Sequence, residues 1–180
     1  MGKHARSWWR RQAVKAKKQR VLSGLKWVKA ATPPAFSKGP RRLTGSPARG
    51  KAYEGKVAGL LRAQVESGLI KGDLYIGPWF KFEDDSGPGM AQPDALLVAE
   101  NHVFIVEAKL KQTLAAHPQI SLYGQLAAHL FDRPWVGIQA FKYVSLRRND
   151  QWVDNGLREV QNMVEDTTTC GAVFEWHILG

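Results

Sequence analysis

Residues 93–111, PDALLVAENHVFIVEAKLK, constrain the fold of this chain more than any other stretch. Two apolar runs, 94–99 and 103–108, are separated only by Glu100, Asn101 and His102. So short a connection joins antiparallel neighbours, and the two runs are expected to form a hairpin. Side chains alternate across a strand, so Val103, Ile105, Glu107 and Lys109 share a face. A Glu and a Lys on a core-facing row cost free energy unless something uses them. Asp94 opens the first strand, and the hairpin brings it back beside residues 107–109. One end of a sheet therefore gathers Asp94, Glu107 and Lys109.

The chemistry of that set is specific. Two carboxylates are hard oxygen ligands suited to Mg²⁺, with Mn²⁺ as the alternative. Such a cation can generate hydroxide and stabilise charge building on a phosphate. In this reading Asp94 and Glu107 bind metal, with the backbone carbonyl of Ala108 as a further ligand, and Lys109 holds the attacking water or offsets phosphate charge. A second Glu-x-Lys, Glu54-Gly55-Lys56, follows no apolar strand and has no Asp at hairpin distance, so it is not the pair.

Around the hairpin the chain reads as a mixed α/β domain over residues 51–180. Tyr53, Val57, Leu60 and Leu61 give residues 51–67 a helical face, with Gly68 as the stop. A strand is expected from about Asp73 to Phe82, bent at Pro78, then a loop, EDDSGPGMAQP. Pro118 marks the first turn of a helix running to about Leu130. Residues 135–146 are β-rich, 155–165 form a short amphipathic helix, and GAVFEWHIL closes the chain as a strand. The order is α-β-β-β-α-β-α-β.

Pro93-Asp94 followed by Glu107-Ala108-Lys109 resembles the PD-(D/E)xK nuclease superfamily. Gln119 to Tyr123, QISLY, is similar to the QxxxY motif of its branch containing RecB-type and phage lambda-type exonucleases. The resemblance covers most of residues 51–146. It implies a restriction-endonuclease-like αβββαβ core with a central mixed sheet, and a Mg²⁺-dependent deoxyribonuclease that hydrolyses phosphodiester bonds. It further implies that Glu54 is a third acid at the metal and that Gln119 and Tyr123 orient the substrate end or the Lys. Gln119 falls in a helix's first turn, where free N–H groups favour phosphate. His117, beside Pro118, is a candidate for water or phosphate contact. His102, in the hairpin turn, is expected to be exposed.

Residues 1–50 do not share in the resemblance. Residues 1–51 hold 15 Lys and Arg and no acid, while residues 52–180 hold 11 against 16 Asp and Glu, a net of −5. A basic N-terminal arm of this kind points to a polyanionic partner. A helix is expected over about 8–30, capped by Ser7 with Val14, Val21, Leu25 and Val28 as a thin apolar stripe. A Pro- and Gly-rich extended linker follows. Arg6, Trp8, Trp9, Arg10, Arg11, Lys15, Lys17, Lys18, Arg20, Arg41 and Arg42 are the candidate DNA contacts, the tryptophans by stacking on bases.

The chain has one cysteine, Cys170, so no internal disulfide forms and a reducing, cytoplasmic setting is expected, in a bacterial cell or a phage-infected host. No apolar run reaches the roughly 20 residues needed to span a bilayer. GSPARGKA, residues 45–52, approaches the phosphate-cradling loop pattern. It has Ala52 where Ser or Thr should hold Mg²⁺ and no buried strand before it. DNA is the expected partner, with other phage or repair proteins, in recombination, repair or packaging. The alternatives are a non-catalytic DNA-binding or assembly protein on a degenerate nuclease fold, a membrane-surface protein, and an organelle-targeted chain.

Overall fold

The computed structural model describes residues 20–31 and 44–179. In chain order the elements are β1 (Trp27–Ala31), α1 (Gly45–Glu66), β2 (Asp73–Ile76), β3 (Trp79–Asp84), β4 (Gly87–Ala91), β5 (Ala95–Val98), β6 (Val103–Lys111), α2 (Ala116–Phe131), β7 (Trp135–Tyr143), β8 (Trp152–Val153), α3 (Gly156–Val164) and β9 (Val173–His177). The central sheet is mixed, in the order β2-β5-β6-β7-β9-β8. Strands β2, β5 and β6 run antiparallel, whereas β6, β7, β9 and β8 run parallel. A smaller antiparallel sheet, β1-β3-β4, shares no strand pairing with it.

Strands β5, β6 and β7 are almost continuously buried because both faces of the sheet are covered. On one face, Leu97, Phe104 and Val106 pack against Tyr53, Val57 and Leu61 of α1 and Leu157 and Val160 of α3. The α1 stripe repeats every four residues, so one apolar line faces the sheet. Each fully buried side chain of that size contributes about 1.5–3 kcal/mol. On the other face, Leu96, Val103 and Ile105 pack against Ile120 and Leu126 of α2 and against Phe80 and Phe82 of the small sheet. The expected stop at Gly68 is present as a left-handed glycine with φ of 74° just past α1. Residues 45–52 are helical, which agrees with setting aside a phosphate loop there.

Several expectations are corrected. Residues 20–26 are not helical and 27–31 are a strand, so the expected helix over 8–30 is absent there, and residues 8–19 lie outside the described residues. Pairing with β3 in register Val28↔Phe82 outweighs a modest helix propensity, and Leu22, Leu25 and Val28 pack on the small-sheet core. The folded body therefore includes part of the basic segment, and α1 begins at Gly45 rather than near residue 51. The single bent strand over 73–82 is two strands in two sheets, parted at Gly77 and Pro78. The expected loop contains β4. His102 is buried, its Nε2 3.2 Å from the Thr169 carbonyl oxygen. The short strand β8 has no counterpart in the expected order.

The acids of that expected loop explain why the basic segment docks. Arg20 forms an ion pair with Asp84, which is fully buried, and its guanidinium also lies 4.8 Å from the Phe82 ring centroid. Lys26 and the Trp27 indole N–H both reach Glu83, at 3.3 and 3.2 Å. The Arg20 guanidinium holds the Asp84 carboxyl below the usual carboxylate range, helped by the N–H groups of Ser23 and Ser86.

Helix α2 lies against β7 because Gly124 has no side chain. A Cβ there would come within 2.2 Å of the Trp135 ring. Gly124→Ala is expected to destabilise the protein by about 1–3 kcal/mol through overpacking, as read by urea unfolding.

Candidate active site

The hairpin register decides the site. Ala95 pairs with Val106 and Leu96 with Ile105, which sets Asp94 opposite Glu107 on the α2 face of the sheet. Pro93 has no N–H with which to continue the ladder. The Ala108 N–H instead donates to Asp94 Oδ2 at 2.8 Å. Asp94 thus serves as the last rung and is locked beside the end of β6.

From there a chain of hydrogen bonds runs up into α2. Lys109 Nζ donates to Glu107 Oε1 at 2.6 Å and to Gln119 Oε1 at 3.1 Å. Gln119 Nε2 donates to the Tyr123 hydroxyl at 2.9 Å. Gln119 and Tyr123 are one helical turn apart, so both face the strand. The sequence expectation thus names five residues, Asp94, Glu107, Lys109, Gln119 and Tyr123, that the fold brings together.

Burial shapes the electrostatics. Glu107 is only 3% exposed, and its Oε2 has no hydrogen-bond partner among the described residues. Burial first, and the neighbouring Asp94 charge next, push its carboxyl up to about 7 against the pull of Lys109. Burial also raises Asp94, with the Ala108 N–H acting against it and the charge of Glu54 adding to it. The Tyr123 hydroxyl is pushed up to about 12 by burial and stays protonated at neutral pH.

This donor set fits a divalent cation. One buried and one half-buried carboxylate against one ammonium leave the pocket negative once both ionise, and an orphaned buried oxygen is a costly feature that a cation would satisfy. Among the described residues, no group of three His, Cys, Asp or Glu side chains is gathered so as to hold a metal ion. Glu54 therefore does not complete a three-acid cluster. Its carboxylate is held by Lys51 Nζ at 2.8 Å, one turn back on α1. It does line a cleft between α1 and residues 92–94 that reaches Asp94, together with Lys51, Arg62 and Gln92.

The N-terminus of α2 also differs from expectation. The N–H groups of Ala116 and His117 are taken by the carbonyls of Thr113 and Leu114, and Pro118 has none. The first turn is not a set of free donors for phosphate, and Gln119 acts through its side chain.

Sequence reasoning missed a second polar centre on the same face. Glu107 pairs with Gln139 of β7, and Gln139 with Glu175 of β9, so a polar row crosses three strands. Glu175, 3% exposed, accepts from Gln139 Nε2 at 3.1 Å and from Gln112 Nε2 at 3.3 Å. His117 Nε2 lies 2.5 Å from Glu175 Oε1, so this histidine is tied to β9. The signal was present: Gln139 and Glu175 each interrupt an otherwise apolar strand, as Glu107 does.

Among the expected DNA contacts, Arg20 is corrected. Its guanidinium is engaged with Asp84 and with the carbonyls of Pro88 and Gly87, so it anchors the fold. Arg6, Trp8, Trp9, Arg10, Arg11, Lys15, Lys17, Lys18, Arg41 and Arg42 lie outside the described residues.

No family model, curated protein or solved structure matches the chain. Among the described residues, no helix is long and apolar enough to cross a membrane.

Glu107 makes a testable contribution to stability. A carboxyl raised in the folded state binds its proton more tightly there than in the unfolded chain. Its contribution is therefore fully present below its ordinary value of 4.5 and is lost as pH rises towards about 7. In EDTA, the melting temperature of Glu107→Gln relative to wild type should rise between pH 5 and pH 8. The scale is roughly 2–4 °C per kcal/mol. A difference that stays flat with pH would contradict the buried, proton-retaining carboxyl.

Proposed function

We propose that the protein is a divalent-metal-dependent deoxyribonuclease that hydrolyses phosphodiester bonds. The observation that carries this is buried Glu107, with one oxygen on Lys109 and the other without a partner, set opposite Asp94. The run α1-β2-β5-β6-α2-β7 around that pair supports a restriction-endonuclease-like αβββαβ core. A role in phage or bacterial DNA recombination, repair or packaging follows from the resemblance.

Asp94, Glu107 and the Ala108 carbonyl would hold Mg²⁺ or Mn²⁺. A bound cation of this kind supplies an acidified water and offsets charge growing on the phosphate. Lys109 has three N–H donors, and Glu107 and Gln119 take two of them. The third is left for the attacking water or a phosphate oxygen. Gln119 fixes Lys109, and Tyr123 fixes Gln119, so these two position the ammonium. Holding the ammonium in place beforehand avoids reorganisation as the reaction proceeds.

With labelled linear DNA, wild type should cut in Mg²⁺ and stop in EDTA. Glu107→Ala and Lys109→Ala should each lower the rate by roughly 10²-fold or more. Cleavage that ignores EDTA and both substitutions would remove the assigned site. DNA binding without any cleavage would favour a non-catalytic protein on a degenerate nuclease fold. Mg²⁺ or Mn²⁺ should also stabilise wild type, by about 2.7 kcal/mol at 100 times its dissociation constant, and leave Glu107→Ala unmoved.

A further inference from the structure

Beyond Lys109, strand β6 continues through Leu110 and Lys111 to the rim of a groove of about 650 Å³. Its walls come from three segments: Ser46, Arg49 and Lys56 on α1, Lys111 ending β6, and Lys142 with Tyr143 ending β7. Four cations line it and no acid does, although residues 52–180 carry a net of −5. Arg49, Lys111 and Lys142 form no salt bridge among the described residues. Tyr143 is 56% exposed, and Lys142 Nζ sits 5.3 Å from its ring centroid. Tyr53 also lines the groove, and its buried hydroxyl has no hydrogen-bond partner.

We propose that this groove binds single-stranded nucleic acid, its phosphates against Arg49, Lys56, Lys111 and Lys142 and one base stacked on Tyr143. A recessed channel that pairs cations with an exposed aromatic ring matches the way single strands are held. In a duplex the base faces are stacked on one another, and a tyrosine at a groove rim has none to meet. The two residues from Lys109 to Lys111 span roughly 7 Å of strand, so the groove, on the α1 side, opens at the same end of the sheet as the carboxylate pair. The proposal rests on the nuclease reading for its choice of polyanion, but the binding itself needs no metal.

The test uses the full chain, EDTA and an oligothymidylate carrying a single 5-iododeoxyuridine, cross-linked by ultraviolet light and mapped by mass spectrometry. An adduct is expected on Tyr143. Tyr143→Phe should keep it, and the paired substitution Lys111→Glu with Lys142→Glu should lower it at least tenfold with the melting temperature unchanged. The same sequence as a duplex should label Tyr143 weakly. Labelling of Tyr143 that is indifferent to charge reversal, or equal for duplex and single strand, would overturn the groove. So would binding with adducts only elsewhere. A Tyr143 adduct from a protein that never cleaves would leave the groove standing and refute hydrolysis. Unaltered cleavage and KM in the charge-reversed protein would do the opposite.

Discussion

The register between β5 and β6 is the constraint on which the rest of the molecule depends. Side chains alternate with a period of two, so a slip of β6 by one residue would turn Glu107 and Lys109 to the α1 face and part them from Asp94. That face is occupied by Leu97, Phe104 and Val106, which need an apolar neighbour as much as Glu107 needs a polar one. The four-residue connection from Ala99 to His102 and the two apolar rows therefore specify the same pairing. Asp94 reinforces it by taking the Ala108 N–H where proline ends the ladder.

Within that frame, the cost of burying charge is distributed unevenly. Glu175 is surrounded by donors, two amides and an imidazole, and both its oxygens are occupied. Glu107, two strands away in the same row, keeps one oxygen unsatisfied. Two carboxylates of equal burial are thus in opposite conditions. A saturated one stiffens the sheet, and an unsaturated one retains affinity for a partner from outside. Burial alone would not separate the two; the count of hydrogen-bond partners does.

The legible part of the fold was the part written in long apolar runs. The hairpin, α2, β7, α3 and β9 follow from periodicity, and Asp94, Glu107 and Lys109 follow from polar residues placed where an apolar one belongs. The Lys109–Gln119–Tyr123 chain was reached through a motif, and its hydrogen bonds depend on how α2 packs on β6. What was not legible depends on contacts distant in sequence. Trp27–Ala31 reads as helix by composition, and only β3 makes it a strand. Gly87–Ala91, with two glycines and a proline, carries no strand signal and is held by its pairing to β3. Glu54 lines a cleft that reaches Asp94, yet a lysine one turn away holds its carboxylate.

The first turn of α2 carries His117 and Gln119, one tied to Glu175 on β9 and the other to Lys109 on β6. A single short arc of backbone thus fastens two polar centres that are separated across the sheet. Displacing that arc would loosen both at once. Changes at Lys109 and at Glu175 should for this reason be energetically coupled although the two side chains make no contact, because each shares the same helical clasp.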